Sequence, residues 1–370
     1  MSAGAPPDVR PVFTGLGVLS AFGPGLAPLT AATVHGRTGF TEVTRFDVGR
    51  RGTRRAALLL DPPPLARALL GVVADACRQS GLPAGPGDPP LLLALHSDLR
   101  TREVVEAVTR GSAALGLPGV TRVYTGACVA AATAVADAAA LVASGRHPRV
   151  LVAAGHLVEP GIFAAFDAGR ALARDGELRP FSSGRTGTVL GDAAAAVVIE
   201  ADTAAERRGA PPLARLAGWG RSGDAHHVCR PRPDGEGVAR AARAALTRAG
   251  VAPSEVGYVN ANGTGSPMSD LAEARALRQV FGDALDELPV SSSKSVHGHA
   301  LEASALLELV VTIAALHNER LPVNAGWLGP DPEIGLNLVL AESRADRPRY
   351  ALSLNSAFGG ANTALLVAAA

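Results

Sequence analysis

Residues Thr121–Gly145 read TRVYTGACVAAATAVADAAALVASG: a β-prone run (Val123, Tyr124, Thr125), a tight Gly126-Ala127, then Cys128 and a long tract of Ala and Val. Alanine favours helix and adds no bulk, so this tract predicts a helix packed closely on every side in the middle of the fold. Cys128 then stands at the first turn. Unpaired backbone N–H groups and the positive end of the helix dipole there favour thiolate over thiol, as a nucleophilic cysteine requires. The competing reading is a core cysteine that behaves as a small hydrophobe.

The whole chain has 370 residues, enough for a large core in one large or two medium domains. Its hydrophobic fraction of 47% comes mostly from Ala, Val and Leu, with 4% aromatic residues, and its net charge of +1 gives no case for nucleic acid or a membrane surface as partner. The opening MSAGAPPDVRPVF lacks an apolar core behind a basic start, and no apolar run approaches the ~18 residues of a membrane span, so a cytoplasmic protein is expected. Cys77, Cys128 and Cys229 are widely spaced and odd in number, which fits reduced thiols rather than a disulfide framework or a zinc site. One bias is sharper. Of 35 basic side chains 34 are arginine, and Lys294 is the only lysine. Either a coding bias has left one survivor, or position 294 needs a compact ammonium that a planar guanidinium cannot imitate.

On both sides of the Cys128 unit, continuous apolar strands alternate with helices. PVFTGLGVL (11–19) reads as a strand entering a glycine turn, and the Pro-rich segment from there to Pro64 has little helix or strand signal. A helix is expected over 65–80, a loop from Pro83 to Pro90, a strand over 91–97 and a helix over 101–113. Strands follow at 149–155 and 193–200. After a polar Pro/Arg/Gly stretch at 201–212 a similar order restarts: strand 214–220, helix 236–250, strand 256–263, helix 269–281, strand 289–294, helix 300–317 and a hairpin over 350–370. Runs apolar on both faces indicate an α/β fold with covered sheets. The restart suggests a duplicated unit, with halves 1–205 and 206–370.

Three glycine-punctuated motifs in the second half each end an expected strand: Asn260-Ala-Asn262-Gly-Thr264-Gly-Ser266, Lys294-Ser-Val-His297-Gly-His299 and Asn355-Ser-Ala-Phe358-Gly-Gly360. Such turns let backbone approach a ligand, and together they offer an amide, an imidazole, an ammonium and free N–H groups. That set suits activation of a thioester.

With these motifs in order, the chain resembles the β-ketoacyl synthases of fatty-acid and polyketide synthesis, within the thiolase superfamily. The likeness runs through VFTGLGVLSAFG, the TGAC turn, RPFSSGRTGTVLGDAAAAVVIE, SGDAHHVCRPRPDGEGVARA, VGYVNANGTGSPMSDLAEARAL, VSSSKSVHGHALEASALLELV and SLNSAFGGANTALLV. It implies a thiolase-like fold of two α-β-α-β-α halves, an acyl chain carried on a cysteine, and no cofactor. An acyl carrier protein or acyl-CoA is implied as donor, in a homodimer or a heterodimer with a second ketosynthase-like chain. By position it makes Cys128 the acylated nucleophile, His299 the active-site histidine, Lys294 the structural lysine and Glu308 the buried acid. Asn262 falls in the catalytic set, and Thr264, Ser266, Ser356, Phe358, Gly359 and His227 fall on the substrate side. Backbone N–H groups of Cys128 and of the 355–360 turn would form the oxyanion hole. The Asp224-Ala-His226-His227-Val-Cys229 run matches a substrate-side loop, so no metal is expected there, and His156 and His317 read as core or surface histidines.

The departures narrow the chemistry. Asn262 stands where the family has histidine, and an amide can donate a hydrogen bond but cannot carry a proton at neutral pH. Ser356 replaces the first of two loop phenylalanines. Glu302 replaces a glycine beside the active histidine, either facing solvent or acting at the site, and the segment from Phe46 to Leu91 is shorter than in the family. Three readings follow: acyl transfer from Cys128 to a hydroxyl or amine without decarboxylation, decarboxylative extension with a malonyl-carrier, and a non-catalytic partner subunit resembling a chain-length factor. The retained Cys128, Lys294 and His299 count against the third. Arg207, Arg208, Arg230 and Arg232 are expected around the pocket mouth, facing an acidic carrier.

Overall fold

The computed structural model describes residues 9–49, 51–82 and 89–370, so most of the expected 83–90 loop and the first eight residues lie outside it. Ten strands and six long helices carry the architecture. The first half runs β1 (Pro11–Ser20), α1 (Leu65–Ser80), β2 (Leu91–Ala94), α2 (Thr101–Ser112), β3 (Val120–Tyr124), α3 (Ala130–Ala143), β4 (Arg149–His156) and β5 (Ala193–Ala201). The second half repeats that order as β6 (Ala214–Gly223), α4 (Glu236–Ala249), β7 (Val256–Asn260), α5 (Pro267–Phe281), β8 (Val290–Ser291), α6 (Ser304–Asn318), β9 (Tyr350–Ser356) and β10 (Ala361–Ala369).

The spatial order repeats as well. The strands lie β3-β2-β4-β5-β1 in one half and β8-β7-β9-β10-β6 in the other. In each, the three strands at the outer end are parallel and the two at the inner end antiparallel. The halves join through β1 and β6, paired at Val12–Arg215 and Phe13–Ala214, so one sheet runs through both. The boundary drawn at 205/206 falls inside the short helix Asp202–Arg207.

Helices α3 and α6 touch each other and strands of both halves, while α1 and α2 cover one outer face and α4 and α5 the other. The layers are therefore α-β-α-β-α. The Ala-rich tract makes this possible: nine residues of α3 are buried, on all sides, with alanine at seven of them. Small side chains let the central pair approach both sheets at close-packed density.

Several expected elements end sooner or appear unannounced. The 91–97, 256–263 and 289–294 strands stop at Ala94, Asn260 and Ser291, because each chain leaves the sheet there to enter the site. Lys294 opens a one-turn helix (Lys294–His297), and α6 starts at Ser304 after a 3₁₀ turn. The segment to Pro64 contains a helix, Leu26–Val34, and a hairpin of Phe40–Glu42 with Arg55–Ala57. That helix has almost no polar face, so its sequence carries no period to read. Leu301–Asn318 does reach membrane-span length and apolarity, contrary to expectation, but 89% of it is buried inside the protein as the central α6 layer.

Candidate active site

The site gathers at the carboxyl ends of parallel strands. β3 leads to Cys128, β7 to Asn262, β8 to Lys294, and β9 ends beside Asn355. Cys128 sits in a 3₁₀ turn (Ala127–Val129) that feeds α3, and Ala127 adopts φ +52° to turn the strand sharply into the helix. Leu301, two residues past His299, is also left-handed at φ +44°. Non-glycine residues in this region carry strain of ~1–3 kcal/mol, and here they stand beside Cys128 and His299.

Cys128 Sγ lies 3.1 Å from His299 Nε2. On the other side of the ring, Nδ1 is 2.9 Å from Ser304 Oγ, which also accepts the Ala300 N–H at 2.8 Å. With the hydrogen on Nδ1, His299 would donate to Ser304 Oγ and leave the Nε2 lone pair facing the thiol. Burial, with Lys294 beside it, holds the His299 imidazole well below its usual pKa, and burial pushes the Cys128 thiol up to about 12. Both shifts favour a neutral thiol beside a neutral imidazole. This corrects the thiolate expected from a helix start: Cys128 is only 9% exposed, and loss of water outweighs the lowering that Lys294 and its own N–H provide.

Lys294 is wholly buried and organises the remaining groups. Its Nζ is 2.7 Å from Glu308 Oε1 and donates to Asn262 Oδ1 at 3.3 Å. Glu308 Oε2 accepts the Asn355 amide at 2.7 Å. Because Lys294 occupies Oδ1, the Asn262 NH₂ is left as its outward donor. Glu273 receives the Asn262 and Gly263 N–H groups, while Asp270 receives those of Gly265 and Phe181, fixing the turn that carries Thr264 and Ser266, both half-buried.

The 355–360 turn is more selective than the sequence suggests. The N–H groups of Ala357, Gly359 and Gly360 go to Ala361, Val228 and Ala357 carbonyls. Among the described residues the Phe358 N–H has no acceptor, whereas that of Gly359 is taken by Val228. Ser356 bonds Asn362 Oδ1 at 2.7 Å, and the Phe358 ring, 53% exposed, stacks on Phe166 at 6.0 Å. His227 is exposed on the loop whose Val228 carbonyl receives Gly359, and its Nδ1 accepts the Cys229 N–H. Among the described residues no group of three His, Cys, Asp or Glu side chains is placed to hold a metal ion.

Of the two readings of Glu302 the solvent-facing one fails: it is 3% exposed, with Oε1 2.9 Å from His96 Nδ1. Arg208 is not at a pocket mouth either. It clamps buried Glu200 together with Arg149, at the far end of β5 from the site. Glu200 is seven residues from the site end, Ala193, or roughly 23 Å at ~3.3 Å per residue. Arg207 is on the same distant helix, whereas Arg230 and Arg232 belong to the loop against the 355–360 turn. His156 is a core residue and His317 an exposed one. Sequence reading missed Ser304, His96, Asp270 and Glu273. His96 had a usable signal, since it lies at the end of the buried strand expected over 91–97, whose neighbours end in the site.

Alignment over nearly the full length places the chain. It is 31% identical to 3-oxoacyl-[acyl-carrier-protein] synthase 2 of Coxiella burnetii, covering 97% of this chain and 98% of that protein. The chain belongs to the β-ketoacyl synthase family. The family's N-terminal domain matches residues 106–205 and its C-terminal domain residues 213–327. The enzyme of the same name from Staphylococcus aureus is 39% identical over 207 residues, 55% of this chain, and that match spans about half (51%) of its length. Among solved structures, the ishigamide ketosynthase/chain length factor superposes with TM-score 0.89 at 27% identity, covering 98% of this chain and all of that one. Cys128, Asn262, Lys294 and His299 thus sit in a ketosynthase fold.

Proposed function

We propose that this ketosynthase-family chain is an acyltransferase that loads an acyl thioester on Cys128 and passes it to a hydroxyl or amine without decarboxylation. The observation that carries the reading is Asn262. Lys294 holds an amide, not an imidazole, so the proton carrier in contact with Cys128 is His299, and one suffices for transfer.

In loading, the Cys128 thiol proton moves to His299 Nε2 as Sγ attacks the thioester carbonyl. The developing oxyanion is met by the N–H groups of Cys128 and Phe358, and collapse of the intermediate returns the proton to the departing thiolate. In transfer, the acceptor O–H or N–H gives its proton to Nε2 as it attacks, and the Cys128 thiolate leaves and is reprotonated. Ser304 holds the His299 ring through Nδ1, Lys294 and Glu308 hold Asn262 and Asn355, and Thr264, Ser266, Ser356, Gly359 and His227 stand on the substrate side. An apolar wall of Phe163, Leu190 and Leu301, with Phe46 and Phe166 alongside, suits an acyl chain.

An acyl carrier protein is the proposed donor, met by Arg230 and Arg232, and weakened loading at high salt is the expected sign. A second copy or a related chain is the proposed dimer partner, along the outer sheet edge β3, where Thr121, Arg122 and Val123 are exposed. The two halves, 1–205 and 206–370, would then divide the work, one bearing the nucleophile and the other its activating groups.

Decarboxylative extension is the second reading. It draws on the free NH₂ of Asn262, a donor that could polarise a malonyl thioester beside His299. Intact-protein mass spectrometry with acyl thioesters and malonyl-carrier separates the two. Transfer predicts acyl-Cys128, no CO₂ release, discharge to a hydroxyl or amine, and gain of decarboxylation in Asn262→His. Steady CO₂ release with a β-ketoacyl product from the unmodified enzyme would overturn it.

A further inference from the structure

Glu302 is a buried carboxylate that the steps above leave unused. Its 3₁₀ turn (Leu301–Ala303) packs against both the Cys128 turn and the strand that ends in His156. Oε1 meets His96 Nδ1, but Oε2 is buried with no hydrogen-bond partner among the described residues. His156, 4% exposed, likewise leaves Nε2 buried and unpartnered. The two side chains are mutual electrostatic neighbours, and each also acts on the catalytic pair, Glu302 on Cys128 and His156 on His299.

A buried polar atom left bare costs ~1–3 kcal/mol, and these two come from separate elements that pack on each other, one of them also against the Cys128 turn. The chemistry of the pair restricts what could satisfy it. A carboxylate oxygen accepts only, and an imidazole nitrogen can accept or donate. A group that donates fits, whereas a second carboxylate is repelled and an alkyl chain leaves both atoms bare.

We propose that Glu302, His156 and His96 form a polar subsite beside Cys128 that receives a hydroxyl or amine of the substrate, carried by the acyl chain or by the acceptor. The inference rests on the reading of Cys128 as the acylated nucleophile. His96 positions Glu302 through Oε1 and leaves Oε2 for the incoming group.

Wild type, Glu302→Gln and Glu302→Gly would be compared with two matched series. The first is pantetheine thioesters with and without one hydroxyl or amine on the chain, scored by mass for Cys128 loading. The second is amine and alcohol acceptors against a matched thiol, scored by discharge of acyl-Cys128. Wild type should prefer the donor-bearing member by about tenfold or more in one series, falling to within about twofold in Glu302→Gly. Selectivity in loading assigns the group to the acyl chain, and selectivity only in discharge assigns it to the acceptor. Flat ratios in wild type, or ratios unchanged in both variants, overturn the subsite. If no thioester loads, the nucleophile reading fails, and the subsite is read instead with non-hydrolysable pantetheine amides. Aminoalkyl amides should then raise the melting temperature above alkyl amides in wild type more than in Glu302→Gly, and equal shifts overturn it.

Discussion

Lys294 is the residue whose place composition already marks out, since every other basic position accepts arginine. At 0% exposure its ammonium bridges Glu308 and Asn262, and no room remains for a planar fork. Lys294→Arg should overpack the site at a cost of ~1–3 kcal/mol and abolish Cys128 loading while the chain still folds. Lys294→Met should be worse for stability, by ~3–5 kcal/mol, because Glu308 keeps a buried charge without its partner. Thermal denaturation and loading assays on both read this directly, and wild-type turnover in Lys294→Arg would mark the lone lysine as an accident of coding. The position of Cys128 was likewise legible, but its protonation was not. Dipole and N–H groups are local and visible in sequence, whereas desolvation depends on everything packed around it. With the thiol pushed up to about 12, only about 10⁻⁴ of Cys128 is thiolate at pH 8, so iodoacetamide labelling at this residue should climb about tenfold per pH unit from 6 to 9. A plateau near neutral pH would show a resting thiolate–imidazolium pair instead.

The elements repeat down to their glycines. In β1, a Cβ on Gly15 or Gly17 would collide with the carbonyl of Ala76 or Val72, one turn apart on α1. In β6, Gly218 and Gly220 meet the carbonyls of Ala245 and Ala241 on α4 in the same way. Each half thus seats its first helix directly on its first strand through two glycines at alternate positions. Gly17→Ala and Gly220→Ala should each destabilise by at least ~1–3 kcal/mol, since backbone must move to make room. Denaturant titration of both variants tests this, and unchanged midpoints would show that these helices have slack. The TGLG and AGWG pairs were in plain view, yet only the helix contact gives them meaning. Element order and strand ends were legible through apolar runs closed by glycine. Glu302 was left open between solvent and site, because a charged residue on a short turn fits both until two other elements are seen to cover it.

For the whole molecule, the sequence restart after residue 201 anticipated the duplicated order, but not that a two-residue pairing of β1 with β6 joins the halves into one sheet. Such a junction involves residues some 200 positions apart, beyond the reach of any local pattern. The far arginines were misplaced for the same reason: polar context predicts surface but not which end of a strand. One consequence of the buried lysine reaches beyond catalysis. The chain carries a single side-chain amine and it is sealed in the core, so amine-directed reagents and lysine-specific proteases have no side-chain target while the native state persists. Cleavage after Lys294 should require opening of the central layer and yield just two fragments, making that one bond a built-in clock for global unfolding. Timed digestion under native conditions should track the unfolding equilibrium across mild denaturant, and rapid cutting in its absence would show that the core around Lys294 opens locally.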